Sequence, residues 1–146
     1  MESKAEVYYK AIELGLEIRT CTPIDKVVKI YNGTGPESFP EWARKKIDKF
    51  SATLQPAVCG HDLDYYFGKG TKADFHKANK RLESNGRKCA DARYGWWRPA
   101  RYIVRGQAKL YAKLCEELGW KMYLAAIRER IEDKELEDEA KERNEK

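Results

Sequence analysis

Apolar positions along this chain recur with the period of a helix, and no segment alternates with the period of a strand over a useful length. In residues 5–19, AEVYYKAIELGLEIR, Val7, Tyr8, Ile12, Leu14 and Ile18 fall close to a 3.6-residue spacing, which predicts an amphipathic first helix packed on the core. A short apolar stretch follows, and Gly33, Gly35, Pro36 and Pro40 then mark an irregular loop. Pro40-Glu41-Trp42 opens a short helix through Phe50, and Pro56 suits the first turn of a further helix running to about Phe67. Gly68-Lys69-Gly70 ends that helix. Thr71-Lys72-Ala73-Asp74 reads as a capping box for the next, so the two form an antiparallel hairpin. The second arm runs to about Asn85 or Cys89, and Gly95-Trp96-Trp97-Arg98-Pro99 marks a break. From Ala100 a long helical pattern carries Tyr102, Ile103, Leu110, Tyr111, Leu114 and Leu118, with Gly106 and Gly119 as weak interruptions. The expected architecture is mostly α: one helical domain over residues 1–131, then a charged, fraying helix end over 132–146.

Composition narrows the class. A length of 146 residues suits one core-bearing domain, and 42% hydrophobic residues are too many for a disordered chain. The net charge of +5 is unevenly spread: residues 71–113 hold 12 Lys/Arg against 3 Asp/Glu, and residues 114–146 hold 7 against 11. A basic middle segment suits an anionic partner, either phospholipid head groups or nucleic-acid phosphates, or is simply a solvated helical face. No recognition-helix signature accompanies the charge, so nucleic acid is the weaker candidate. No run approaches the roughly 20 apolar residues of a membrane span, and the N-terminal segment lacks a signal-peptide pattern. Membrane action is therefore expected from one side, with localisation open and release or association with a virus among the options. Cys21, Cys59, Cys89 and Cys115 show no metal-binding spacing, so buried thiols and disulfides both remain open.

The candidate chemistry lies in CGHDLDYYFGKGTKADFHKANKRL, residues 59–82. His61 and Asp62 are neighbours on a helix and point about 100° apart, so they serve different partners rather than each other. A histidine that takes a proton from water needs its second ring nitrogen held by an acceptor, while a carboxylate beside it can hold a hard cation such as calcium. Tyr65, one turn later, shares the face of His61. A fold-back about Lys69 and Gly70 sets Ala78 and Asn79 opposite His61 and leaves Asp74 near the hairpin tip, where capping already explains it. Asp64 falls on another helix face and is expected in solvent, as is His76.

His61-Asp62-x-x-Tyr65, with the loop Tyr31-Asn32-Gly33-Thr34-Gly35 before it and a helix hairpin after it, resembles the phospholipase A2 superfamily. The likeness covers roughly residues 31–82, with the long loop-to-histidine separation nearer viral and bacterial members. It implies a glycine-rich metal loop joined to the hairpin and further packing helices. It also implies calcium-dependent hydrolysis of the sn-2 ester of glycerophospholipids at a membrane surface. His61 would be the general base, and Asp62 with the carbonyls of Tyr31, Gly33 and Gly35 the calcium ligands. Tyr65 would hydrogen-bond the orienting acid. The family's Ala-Asp in the second helix reads Ala78-Asn79 here, so an amide stands where a carboxylate is expected. That departure keeps a second class of function in play, a catalytically weak or inactive module that binds anionic membrane or a protein. In RYGWWRPARYIVR, Trp96, Trp97, Arg98 and Arg101 suit a bilayer interface, and paired tryptophans equally suit a core.

Overall fold

The computed structural model describes residues 3–31 and 39–145. Those residues form seven α-helices and no strand: α1 (Lys4–Glu13), α2 (Ile24–Ile30), α3 (Glu41–Asp48), α4 (Gln55–Tyr66), α5 (Lys72–Arg93), α6 (Pro99–Leu118) and α7 (Trp120–Glu145). A single 3₁₀ turn, Ala52–Leu54, leads into α4.

Local chemistry accounts for most boundaries. Ser3 and Glu6 form a reciprocal capping box that starts α1. That helix ends at Glu13 rather than running to Arg19, because Gly15 takes φ 70° and turns the chain. The displaced strip is held elsewhere: the buried amide of Asn85 donates to the Glu17 carbonyl and accepts from its N–H, both at 3.0 Å. The apolar stretch before the glycine loop is itself a helix, α2, with Val27 buried. Pro56 sits in the first turn of α4, and Thr71 accepts from the Asp74 N–H at 3.2 Å to start α5. Asp74 does not close a capping box; its carboxylate accepts instead from the Lys69 N–H and the Tyr123 hydroxyl, both at 2.9 Å.

The hairpin of α4 and α5 is the centre of the fold. Helices α1, α2, α5 and α7 all contact α4. Ten of its twelve residues are buried, including both faces, which is why no single apolar stripe marks it. Three apolar groups surround it. The largest joins Val7, Tyr8, Val27, Phe39, Ile47, Val58, Leu63, Leu82, Leu114 and Cys115. A second, Leu54, Ala90, Val104 and Ala108, lies at the α5/α6 crossing. A third, Tyr65, Phe75, Ala78 and Tyr123, forms where α7 closes over the hairpin.

Gly119 is more than a weak interruption. It caps α6 through its N–H to the Cys115 carbonyl at 2.8 Å, and α7 begins at the next residue. Helix α7 then continues across residue 131 without a break. Beyond that point Asp133 accepts from the Tyr66 hydroxyl and pairs with Lys29, each at 2.7 Å, so charged residues there hold the helix to α4 and α2. All four cysteines are free thiols, with Cys21 exposed and the other three buried.

Candidate functional site

His61 lies in the middle of α4 and is 3% exposed. Its Nε2 is 2.9 Å from Asn79 Oδ1 on α5. The Tyr65 hydroxyl donates to the same oxygen at 2.6 Å, and the Tyr65 ring stands 4.1 Å from the imidazole. An amide oxygen only accepts, so with Asn79 in this orientation the bond requires the proton on Nε2 and leaves the lone pair on Nδ1. Burial pulls the imidazole down from 6.5 to about 4, with the Asn79 bond opposing the shift, and the ring is therefore neutral at pH 7. Burial also raises the Tyr65 phenol, which stays protonated.

Asn79 is held at its other end. Its Nδ2 donates to Glu116 Oε1 on α6 at 2.9 Å, and Glu116 Oε2 lies 2.6 Å from His76 Nδ1. A line of polar groups thus runs from half-exposed His76 through Glu116 and Asn79 to buried His61. His76 is a surface residue as expected, but it has a partner. Glu116 was not legible in the sequence as a site residue. It is the first acid after Asp91, and only the α5/α6 packing brings it to Asn79.

Asp62 is half-buried on the neighbouring face, as the 100° step requires. Its charge raises the Cys59 and Cys115 thiols beyond what their burial alone does, Cys59 reaching about 12. Tyr111 feels both Asp62 and Tyr31 on top of its own burial. Tyr31 closes α2 in extended backbone, and its hydroxyl bonds the Gln55 side chain. The expected ligands Gly33 and Gly35 lie outside the described residues. Among the described residues no three His, Cys, Asp or Glu side chains converge on a metal position. Asp62 alone offers a carboxylate, a donor whose chemistry suits a hard ion such as calcium and no soft one.

Asp64 departs from its expected solvent environment. It is 6% exposed, with Oδ1 3.4 Å from Arg81, because α5 covers that face of α4 as well. Burial pushes its carboxyl up to about 6, against the pull of Arg81 and Arg19. Together with Arg19, Lys69, Asp74, Lys77 and Arg81 it lines a cleft along the hairpin, and His61 is not part of that lining.

Trp96 and Trp97 are not core residues. They are 72% and 69% exposed, and exposed Tyr102 and Ile103 extend the apolar surface onto α6. The Tyr102 hydroxyl donates to the Trp96 carbonyl at 2.7 Å, which holds the turn against α6. Arg98 is exposed above the Tyr94 ring at 5.4 Å. Arg101 is drawn inward with Arg105, both bonding Asp91 at 2.7 Å, so Arg98 is the freer cation beside the tryptophans.

The fold is mostly α-helical, and among the described residues no helix is long and apolar enough to cross a membrane. Comparison with protein families, with curated proteins and with solved structures finds no match.

Proposed function

We propose that this chain is a phospholipase A2-type ester hydrolase that acts at a membrane surface with His61 as general base. The observation that carries this reading is the anchoring of His61 Nε2 on the Asn79 oxygen, which leaves Nδ1 as the proton acceptor on a ring that is neutral at pH 7. Tyr65 supports the same oxygen and keeps Asn79 in place. Asp62, with the carbonyls of Tyr31, Gly33 and Gly35, would hold a calcium ion. When bound, the ion supplies positive charge to the ester carbonyl. Trp96 and Trp97 beside Arg98 give the protein a surface suited to anionic head groups, with indole rings at interfacial depth.

A second reading is a module that binds anionic membrane without hydrolysis. It draws on Asn79, which cannot stabilise an imidazolium as a carboxylate would, and on the burial of His61. One experiment separates the two. Fatty-acid release from anionic phosphatidylglycerol vesicles is measured with calcium and with chelator for wild type, His61→Gln and Asp62→Asn. Hydrolysis that needs calcium and is lost in both variants, with helical circular dichroism unchanged, supports the hydrolase. Vesicle binding without hydrolysis in any of the three leaves the binding module.

A further inference from the structure

An amide beside a histidine can face it in either of two ways. With the oxygen toward the ring it accepts from Nε2–H; with the nitrogen toward the ring it donates to Nε2 and forces the proton onto Nδ1, the nitrogen a general base needs free. The two orientations have nearly the same shape. Something outside the pair must choose between them.

Glu116 is placed to choose. Its Oε1 stands 2.9 Å from the Asn79 amide nitrogen, at the end of the side chain remote from His61. A carboxylate only accepts, so it bonds Nδ2 and repels Oδ1; turning the amide over would set two acceptors against each other. Tyr65 imposes no such choice, since a hydroxyl donates to an oxygen and accepts from a nitrogen equally well. His76, 2.6 Å from Oε2, holds the carboxylate from its other side.

We propose that Glu116 is a positioning residue that acts through Asn79 to hold His61 as the Nε2–H tautomer. In the proposed function this does the orienting work of the carboxylate the second helix lacks, so the catalytic meaning of the lock rests on that reading. The lock itself is a property of the ring and can be measured without turnover.

The test is the ring-nitrogen spectrum of histidine-labelled protein at neutral pH, with ester hydrolysis assayed in parallel. Wild type shows His61 as a single Nε2–H tautomer. Glu116→Gln preserves shape, but an amide at 116 can offer either a donor or an acceptor, and Glu116→Leu offers neither. In both variants the tautomer ratio moves toward Nδ1–H by about tenfold or more, the worth of one charge-assisted hydrogen bond. The double variant Asn79→Asp/Glu116→Gln returns the ring to Nε2–H, because a carboxylate at 79 only accepts. The shift in the shape-preserving Glu116→Gln is the readout that a packing role for Glu116 would not move.

If Glu116→Leu fails to fold, Glu116→Gln and the double variant still decide the matter. An Nδ1–H ring in wild type, or an unchanged Nε2–H ring in a folded Glu116→Gln, overturns the proposal. A tautomer shift with no hydrolysis by wild type defeats the hydrolase reading and leaves the lock standing. Hydrolysis with an unshifted ring defeats the lock alone.

Discussion

At the residue scale, the contact between Asn79 and Glu116 alters what an obvious repair would do. From the resemblance alone, if Asn79 limits the rate, Asn79→Asp would restore the missing acid and raise it. In the structure that aspartate would face Glu116 where the amide nitrogen now lies 2.9 Å from Oε1. Two carboxylates at that distance must share a proton, so Asn79→Asp alone is expected to cost about 1–3 kcal/mol of stability and to give no gain in hydrolysis. Asn79→Asp/Glu116→Gln moves the charge next to the imidazole without that repulsion and is expected to exceed wild type in vesicle hydrolysis at neutral pH. Titration supplies a second prediction. His61 drops from 6.5 to about 4 on folding, so between those values the unfolded chain holds the extra proton and stability rises with pH. Asp64 rises from 3.8 to about 6, so the folded chain holds the extra proton and stability falls as pH rises through nearly the same window. Each contributes a slope of at most about 1.4 kcal/mol per pH unit, with opposite signs. In chelator-treated protein, urea denaturation from pH 4 to 6 should therefore show a shallow dependence in wild type. Asp64→Asn should become more stable with rising pH and His61→Gln less stable; equal slopes in all three would contradict the assignment.

At the element scale, two helix glycines have opposite roles. A Cβ on Gly86 would meet the Ala108 Cβ at 2.5 Å, so the absence of a side chain is what lets α5 and α6 cross so closely. A Cβ on exposed Gly106 would meet nothing within 4 Å. Alanine favours a helix over glycine by about 1 kcal/mol, and overpacking costs about 1–3 kcal/mol. Gly106→Ala should accordingly raise the thermal midpoint and Gly86→Ala lower it, as read by circular dichroism. The crossing has an electrostatic tie as well. Asp91 on α5 accepts a two-pronged contact from Arg105 and a further bond from Arg101, both on α6, and Arg105 above all holds its carboxyl below the usual range. That contribution is present above the unfolded aspartate value and lost as pH falls through the lower folded one. Partial exposure limits it to roughly 1 kcal/mol.

At the scale of the whole molecule, the basic segment and the exposed aromatics belong to the same pair of helices. Residues 71–113, with 12 Lys/Arg against 3 Asp/Glu, form α5, the tryptophan turn and most of α6. The acidic excess of residues 114–146 falls largely on α7, part of which neutralises α2 through Asp133 and Lys29. Binding to anionic vesicles is expected to combine charge and burial of indole rings. Replacing Trp96 and Trp97 by serine should weaken cosedimentation on the order of tenfold per ring, with little change in thermal midpoint because both are exposed. Raising salt should weaken binding of wild type and variant alike, through screening of the basic face. Binding that ignores both changes would remove this surface from the membrane.

Several features of this protein are local enough for the sequence to determine. The helical class, the break at Gly95-Trp96-Trp97-Arg98-Pro99 and the hairpin after Gly68-Lys69-Gly70 follow from periodicity, proline and a threonine cap, which act within a few residues. The hairpin register then places Asn79 opposite His61, because two antiparallel helices joined by a short turn leave little freedom in which turns face each other. Tertiary structure alone decided the rest. Asp64 became buried because α4 is enclosed on more than one face, whereas its local pattern reads as polar. Glu116 joined the site from α6, 37 positions beyond Asn79, through a helix crossing permitted by Gly86. Trp96 and Trp97 fell outside the core because none of the described helices covers the turn that carries them. Local propensity acts over one or two turns of chain; burial and long-range polar contact depend on which surfaces meet, and that is a property of the packed molecule.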